Sequence, residues 1–189
     1  MPRIEAPTVA EHHRMRRAAL IEAAAGIVTT EGVEGVTLAA VGATAGLARS
    51  SVYQYFDSTP SLLAAVIETA IPRAGAQMAA AVARAGNPEA KVTAWVRAYV
   101  RAATDPQHRA MASRELGLPE ECRARIDELH AAQAAPLVEA LEALGTKDAE
   151  LVAALVAGMA RAAAQRINEG LPAGRVLTRT IQVVQAAIR

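Results

Sequence analysis

Aromatic residues are nearly missing from this chain. One Trp, one Phe and three Tyr make up 3% of its 189 residues. That scarcity disfavours a sheet core and argues against a flat, ring-stacked ligand. Cysteine occurs once, at Cys122, so an internal disulfide is excluded. Lysine is confined to Lys91 and Lys147. No run of about 18 apolar residues is free of charge, so no membrane-spanning helix is expected. The opening Met1-Pro2-Arg3-Ile4-Glu5 lacks the apolar core of a signal peptide, which leads us to expect a cytoplasmic protein without a membrane partner. The formal net charge is only +1, too little for a strong non-specific binder of nucleic acid. Any DNA binding must come from a local patch and from dimerisation.

Catalytic and metal-binding signatures are missing too. His12 and His13 are adjacent, so on a helix they point about 100° apart and cannot chelate together. His108, Cys122 and His130 lack the short spacings of metal ligands. No glycine-rich phosphate loop or nucleophile elbow occurs. We expect no enzyme, no metal and no cofactor.

What is present is Ala, Val and Leu in helical periodicity, with hydrophobic residues at 52%. Residues 1–10 read as a flexible arm. A helix is expected from Glu11 to about Thr30, with Leu20, Ile21, Ala24, Ala25, Ile27 and Val28 on one broad face and Gly32 as its stop. Thr37 suits the N-cap of a helix over Leu38–Ala45, which Gly46 ends. A second short helix is expected over Arg49–Tyr55, burying Val52 and Phe56. Thr59 and Pro60 would start a helix reaching about Ala70, with a kink or restart at Pro72. Further helices are expected over 73–85, 89–103, 107–115, 120–144 (kinked at Pro136), 147–168 and 173–188. No strand pattern occurs.

The two short helices joined at Gly46-Leu47 have the design of a helix-turn-helix. The second leaves Arg49, Ser50, Ser51, Tyr53, Gln54 and Tyr55 for an outward face. No Asp or Glu stands between Gly35 and Phe56. A segment meant to lie against a polyanion needs that absence.

From Leu20 to Leu63 the chain resembles the N-terminal domain of the TetR family of bacterial transcription regulators. The resemblance rests on Leu20-Ile21-Glu22-Ala23-Ala24, Glu31-Gly32, Thr37-Leu38, Val41, Ala45-Gly46-Leu47, Ser51 through Phe56 and Leu62-Leu63. It implies an all-α fold: a three-helix DNA-binding head over residues 11–57 and a ligand-binding and dimerisation domain over 58–189. It implies a homodimeric, ligand-responsive repressor of a palindromic double-stranded operator, released by a small-molecule effector. Thr37, Ser51 and Tyr55 would then touch phosphates, and Arg49, Ser50, Tyr53 and Gln54 would face bases or the backbone beside them. Arg49 suits guanine and Gln54 adenine, each pair discriminating by about 1–3 kcal/mol. Two positions depart from the family. Ala48 stands where Ser or Thr usually caps the recognition helix, a loss of about 1 kcal/mol. Thr59 stands where a phosphate-binding Lys is usual. The basic run His12-His13-Arg14-Met15-Arg16-Arg17 reads equally as a solvated helix end or as a compensating contact to phosphates or the minor groove. The alternative to a repressor is a helical ligand- or protein-binding dimer with a vestigial DNA-binding head.

In the remainder, Leu151, Leu155, Gly158, Met159 and Ala162 share one helix face, and Leu177, Ile181 and Val184 another. We expect both faces to meet their symmetry mates in a dimer. Trp95 and Tyr99, four residues apart, together with Met111, Arg114, His130 and Gln165 form the candidate ligand pocket. Plain core is the competing reading for the aromatic pair.

Overall fold

The first helix begins before its apolar stripe does. The computed structural model describes residues 8–111 and 117–188. In it, α1 (Val9–Glu31) starts two residues ahead of Glu11 because Thr8 builds a capping box. The Thr8 Oγ1 accepts from the Glu11 N–H at 3.2 Å, and the Thr8 N–H donates to Glu11 Oε2 at 2.8 Å. Of the expected arm, residues 1–7 lie outside the described residues. Gly32, at φ +81°, ends α1 as the sequence implies. A 3-10 turn follows at Val33–Gly35.

Next come α2 (Leu38–Thr44), α3 (Arg49–Val52) and α4 (Thr59–Ala83). The recognition helix is thus a single turn rather than the expected Arg49–Tyr55. Ser58, not Thr59, caps α4; its Oγ accepts from the Ser61 N–H at 3.2 Å. Pro60 then sits in the first turn, where its missing N–H is not needed.

Helix α4 also corrects an expectation. It runs unbroken through Pro72 for 25 residues. An interior proline costs about 3 kcal/mol, and here burial on both sides opposes that cost. Leu62, Leu63, Val66, Ile67 and Ile71 are buried before it, and Met78 and Val82 after it. The Gln133 side-chain amide adds a tie, donating from Nε2 to the Ile71 carbonyl at 2.9 Å.

The remaining elements are α5 (Pro88–Ala103), α6 (Pro106–Met111), α7 (Glu120–Ala132), α8 (Ala135–Ala143), α9 (Ala149–Asn168) and α10 (Ala173–Ala187). The expected 120–144 helix is therefore two helices rather than one with a kink. They part at Gln133-Ala134, and Pro136 falls in the first turn of α8, where proline is tolerated. Among the described residues there is no strand.

Two hydrophobic cores result. The first gathers Leu20, Val41, Val52, Phe56 and Leu62 from α1 to α4, with Ile126 and Leu129 of α7 laid against it. The second gathers Met78, Trp95, Leu137, Leu141, Val156 and Val184 from α4, α5, α8, α9 and α10. Helix α4 belongs to both: Ile71 is its last buried residue in the first core, and Met78 its first in the second.

Candidate nucleic-acid interface

Helices α2 and α3 approach closely because Gly42 has no side chain. A Cβ there would meet Val52 Cγ2 at 2.8 Å and the Leu47 carbonyl oxygen at 3.0 Å. Gly46 turns the chain at φ +67°, and the Leu47 N–H returns to the Gly42 carbonyl at 2.8 Å. Thr37 caps α2 as expected, accepting from the Ala40 N–H at 3.0 Å. Ala48 gives α3 no side-chain cap. The short helix is held instead from below, by Val52 and Phe56 in the first core. The sequence reading named Gly46 and passed over Gly42. The only local signal was a glycine inside a seven-residue helix, where it is unfavourable unless backbones must meet.

Six side chains project from this support. Arg49, Ser50, Tyr53 and Gln54 are exposed, and Ser51 and Tyr55 half-buried. Thr37 is exposed at the start of α2. The Arg49 Nη2 donates to the Tyr53 hydroxyl at 3.2 Å, with its guanidinium 5.8 Å from the Tyr53 ring centroid. That hydrogen bond raises the Arg49 pKa above its ordinary value. The charge-bearing group of the recognition helix is thus already extended along the helix face.

Helix α1 flanks this surface. The His13 ring lies 4.6 Å from that of Tyr55, and the Arg17 guanidinium sits 5.0 Å over Phe56. Arg16 Nε approaches His12 Nε2 at 3.5 Å. Arg14 turns elsewhere, 3.9 Å from Glu11.

Of the candidate pocket residues, Trp95 and Tyr99 meet. Trp95 is 1% exposed, stacks on Tyr99 at 5.1 Å and donates from Nε1 to the Gln133 carbonyl at 2.9 Å. It fills the second core and has no free polar edge for a ligand. Gln165 is exposed on α9 and donates to Glu169 at 2.9 Å. His130 stands beside His108, ring centroids 6.5 Å apart. Burial holds both imidazoles below the usual histidine range; for His130 the neighbouring His108 adds to the effect, and Asp127 opposes it. The Met111 side chain and Arg114 lie outside the described residues. Burial, then Glu68 and Glu121, push the Cys122 thiol up, which does not favour a thiolate.

The two candidate dimer faces separate. On α9, Leu151, Leu155, Gly158 and Ala162 are exposed, the two leucines by 60% and 61%, and Met159 is half-buried. On α10, Ile181 and Val184 are buried in the second core, and Leu177, half-buried, packs against it. The stripe faces inward because α5 and α9 both lie against it. Its exposed apolar neighbours are Val183 and Leu171. Between α9 and α10 runs an open groove of about 820 Å³, lined by Met159, Ala162, Leu171, Val176 and Val183 among others.

Residues 20–66 match the family described as bacterial regulatory proteins, tetR family. Over 88 residues the chain is 32% identical to the HTH-type transcriptional regulator BetI of Rhizobium meliloti (strain 1021), a match spanning 47% of this chain and 43% of that protein. The chain thus matches less than half the length of this curated relative. Among solved structures, a transcriptional regulator of the TetR/AcrR family from Thermobifida fusca YX-ER1 superposes with a TM-score of 0.76 at 16% identity, covering 93% of this chain and 99% of that one. A TetR-family regulator from Pectobacterium atrosepticum gives 0.75 at 21%, covering 96% of each chain. The fatty acid degradation regulator FadR from Bacillus halodurans gives 0.71 at 18%, covering 92% and 96%. At these identities the likeness is one of fold.

Proposed function

We propose that this chain, whose residues 20–66 match the family described as bacterial regulatory proteins, tetR family, is a homodimeric repressor that binds a palindromic operator and is released by a small-molecule effector. The observation that carries this reading is the acid-free outward face of α2 and α3, which pack closely on one another at Gly42. Arg49 and Gln54 read bases in the major groove; Thr37, Ser51 and Tyr55 bind phosphates; Ser50 and Tyr53 lie beside them. A two-fold dimer sets two such heads about 34–36 Å apart, one turn of DNA. The exposed α9 face with Leu151 and Leu155, together with the apolar groove beside α10, supports association at the other end of the molecule.

The effector binds within residues 58–189 and prefers a conformer whose head spacing no longer fits the operator. Only a difference in affinity between the two conformers can drive that release.

The test is titration of the purified protein against its own upstream DNA over a salt series, with Arg49→Ala alongside. Sequence-selective binding that weakens with salt and is lost in the variant supports the repressor. Absence of selective binding at every salt concentration favours the vestigial-head dimer, to which the uncapped, single-turn α3 already lends some weight.

A further inference from the structure

We propose that the N-terminal half of α1 is a second DNA-contacting element, in which Arg17 and His13 hold a backbone phosphate jointly with the Tyr55 hydroxyl. The proposal rests on the DNA-binding reading above and adds a surface outside the helix-turn-helix.

Residues 13, 17, 20, 21 and 24 follow one another at i, i+4, i+7, i+8 and i+11 along a single helix face. From Leu20 onward that face is buried in the first core; at Arg17 and His13 the same face carries exposed, basic side chains. The core has run out there, and what these two side chains cover is the end of the recognition segment. The Arg17 guanidinium is 5.0 Å above Phe56, and the His13 ring 4.6 Å from that of Tyr55. A stripe meant only to finish a core would end on apolar residues over these rings. This one ends on a cation and an imidazole.

The capping box at Thr8 and Glu11 makes the ridge helical rather than a loose arm, so its donors are fixed relative to α3 before DNA arrives. The acid nearest in sequence to Tyr55 and Phe56, Asp57, accepts from the Ser58 hydroxyl at 3.2 Å. Arg14, by contrast, is on another side of the helix, beside Glu11.

The experiment compares wild type, Arg17→Gln, Arg17→Lys and Arg14→Gln. The probes are a duplex recovered by selection from random-sequence DNA and mixed-sequence genomic fragments, each across a salt series. One lost phosphate contact lowers the slope of log affinity against log salt by about 0.9. Arg17→Gln is expected to lower it by that amount and to weaken both duplexes by the same factor, roughly fivefold. Arg17→Lys restores the slope, and Arg14→Gln leaves it unchanged. Ethylation interference on the wild-type complex needs no variant to fold, and should reveal a sensitive phosphate beyond those contacted from α2 and α3. A slope in Arg17→Gln equal to that of Arg14→Gln, or interference confined to the α2–α3 phosphates, overturns the proposal alone. A wild-type protein that binds neither duplex overturns the DNA-binding reading itself.

Discussion

The two cores of this protein are finished to different degrees. The first, around Leu20, Val52 and Phe56, closes on itself and turns a polar surface outward. The second, around Trp95, Leu137 and Val156, leaves Leu151, Leu155, Leu171 and Val183 exposed at its edge. Their building materials differ as well. In the second core α9 contributes three alanines (Ala153, Ala160 and Ala163) and one valine, so its backbone lies close to its neighbours. Its opposite side still carries two large leucines. One apolar side of α9 is buried against α5, α8 and α10, and the other is the face on which the proposed self-association rests.

The largest effect should come from the second core's largest side chain. Trp95→Ala removes a fully buried indole and leaves the Gln133 carbonyl without its donor, at a cost of about 3–5 kcal/mol. In urea titration its unfolding midpoint should fall well below the wild type's. An unchanged midpoint would mean that Trp95 is not the centre of that core. Leu155→Glu comes next. A charge placed on the open α9 face should weaken self-association about 100-fold, read by analytical ultracentrifugation, while the melting of the monomer barely moves. A dimer as tight as the wild type's would place the interface elsewhere. Gly42→Ala strikes the first core only. Its Cβ meets Val52 and the Leu47 backbone, so a loss of about 1–3 kcal/mol and a displaced α3 are expected. Operator affinity should drop while dimerisation persists; loss of both together would break the separation of the two regions.

The smallest effect is one of pH, at the His108–His130 contact between α6 and α7. Both imidazoles are held below their ordinary value of 6.5. The unfolded chain therefore takes up protons first as pH falls. The stability these groups permit is whole above about 6.5 and is lost progressively as pH drops from there toward their folded values. Melting should occur at lower temperature at about pH 5.5 than at about pH 7.5, and His130→Gln should flatten the dependence. The change stays small because His130 is partly open to solvent.

The head was more legible in the sequence than the body. Thr37, Gly32 and Gly46 act through local chemistry, a cap and two positive-φ turns, and local chemistry is what a sequence states directly. Thr8-Val9-Ala10-Glu11 states its capping box just as openly, yet the prolines around it drew the reading toward a loose arm. The body depends on which neighbour covers which stripe. Periodicity finds the α10 face of Leu177, Ile181 and Val184 but cannot tell a symmetry mate from α5 and α9. Pro72 misled for a related reason: the rule that proline breaks helices is local, whereas the burial of Ile71 and Met78 and the bond from Gln133 are long-range. The four-residue spacing of Trp95 and Tyr99 is legible in the sequence, whereas the carbonyl that consumes the indole N–H lies 38 residues away.

The continuity of α4 has a mechanical consequence. A helix resists stretching and bending far more than it resists tilting as a unit. Pro72 and the Gln133 amide sit where α4 passes from one core into the other, and under the proposed release α4 would tilt about that point. From there to Ser58 the helix extends about 20 Å at 1.5 Å per residue. A tilt of about 5° in the second core therefore carries the start of α4 sideways by roughly 2 Å. In a dimer both heads would swing, and the gap between them would change by up to roughly twice that. Two rigid recognition surfaces matched to one turn of DNA tolerate little of such drift, so a displacement too small to disturb either core suffices to spoil the fit.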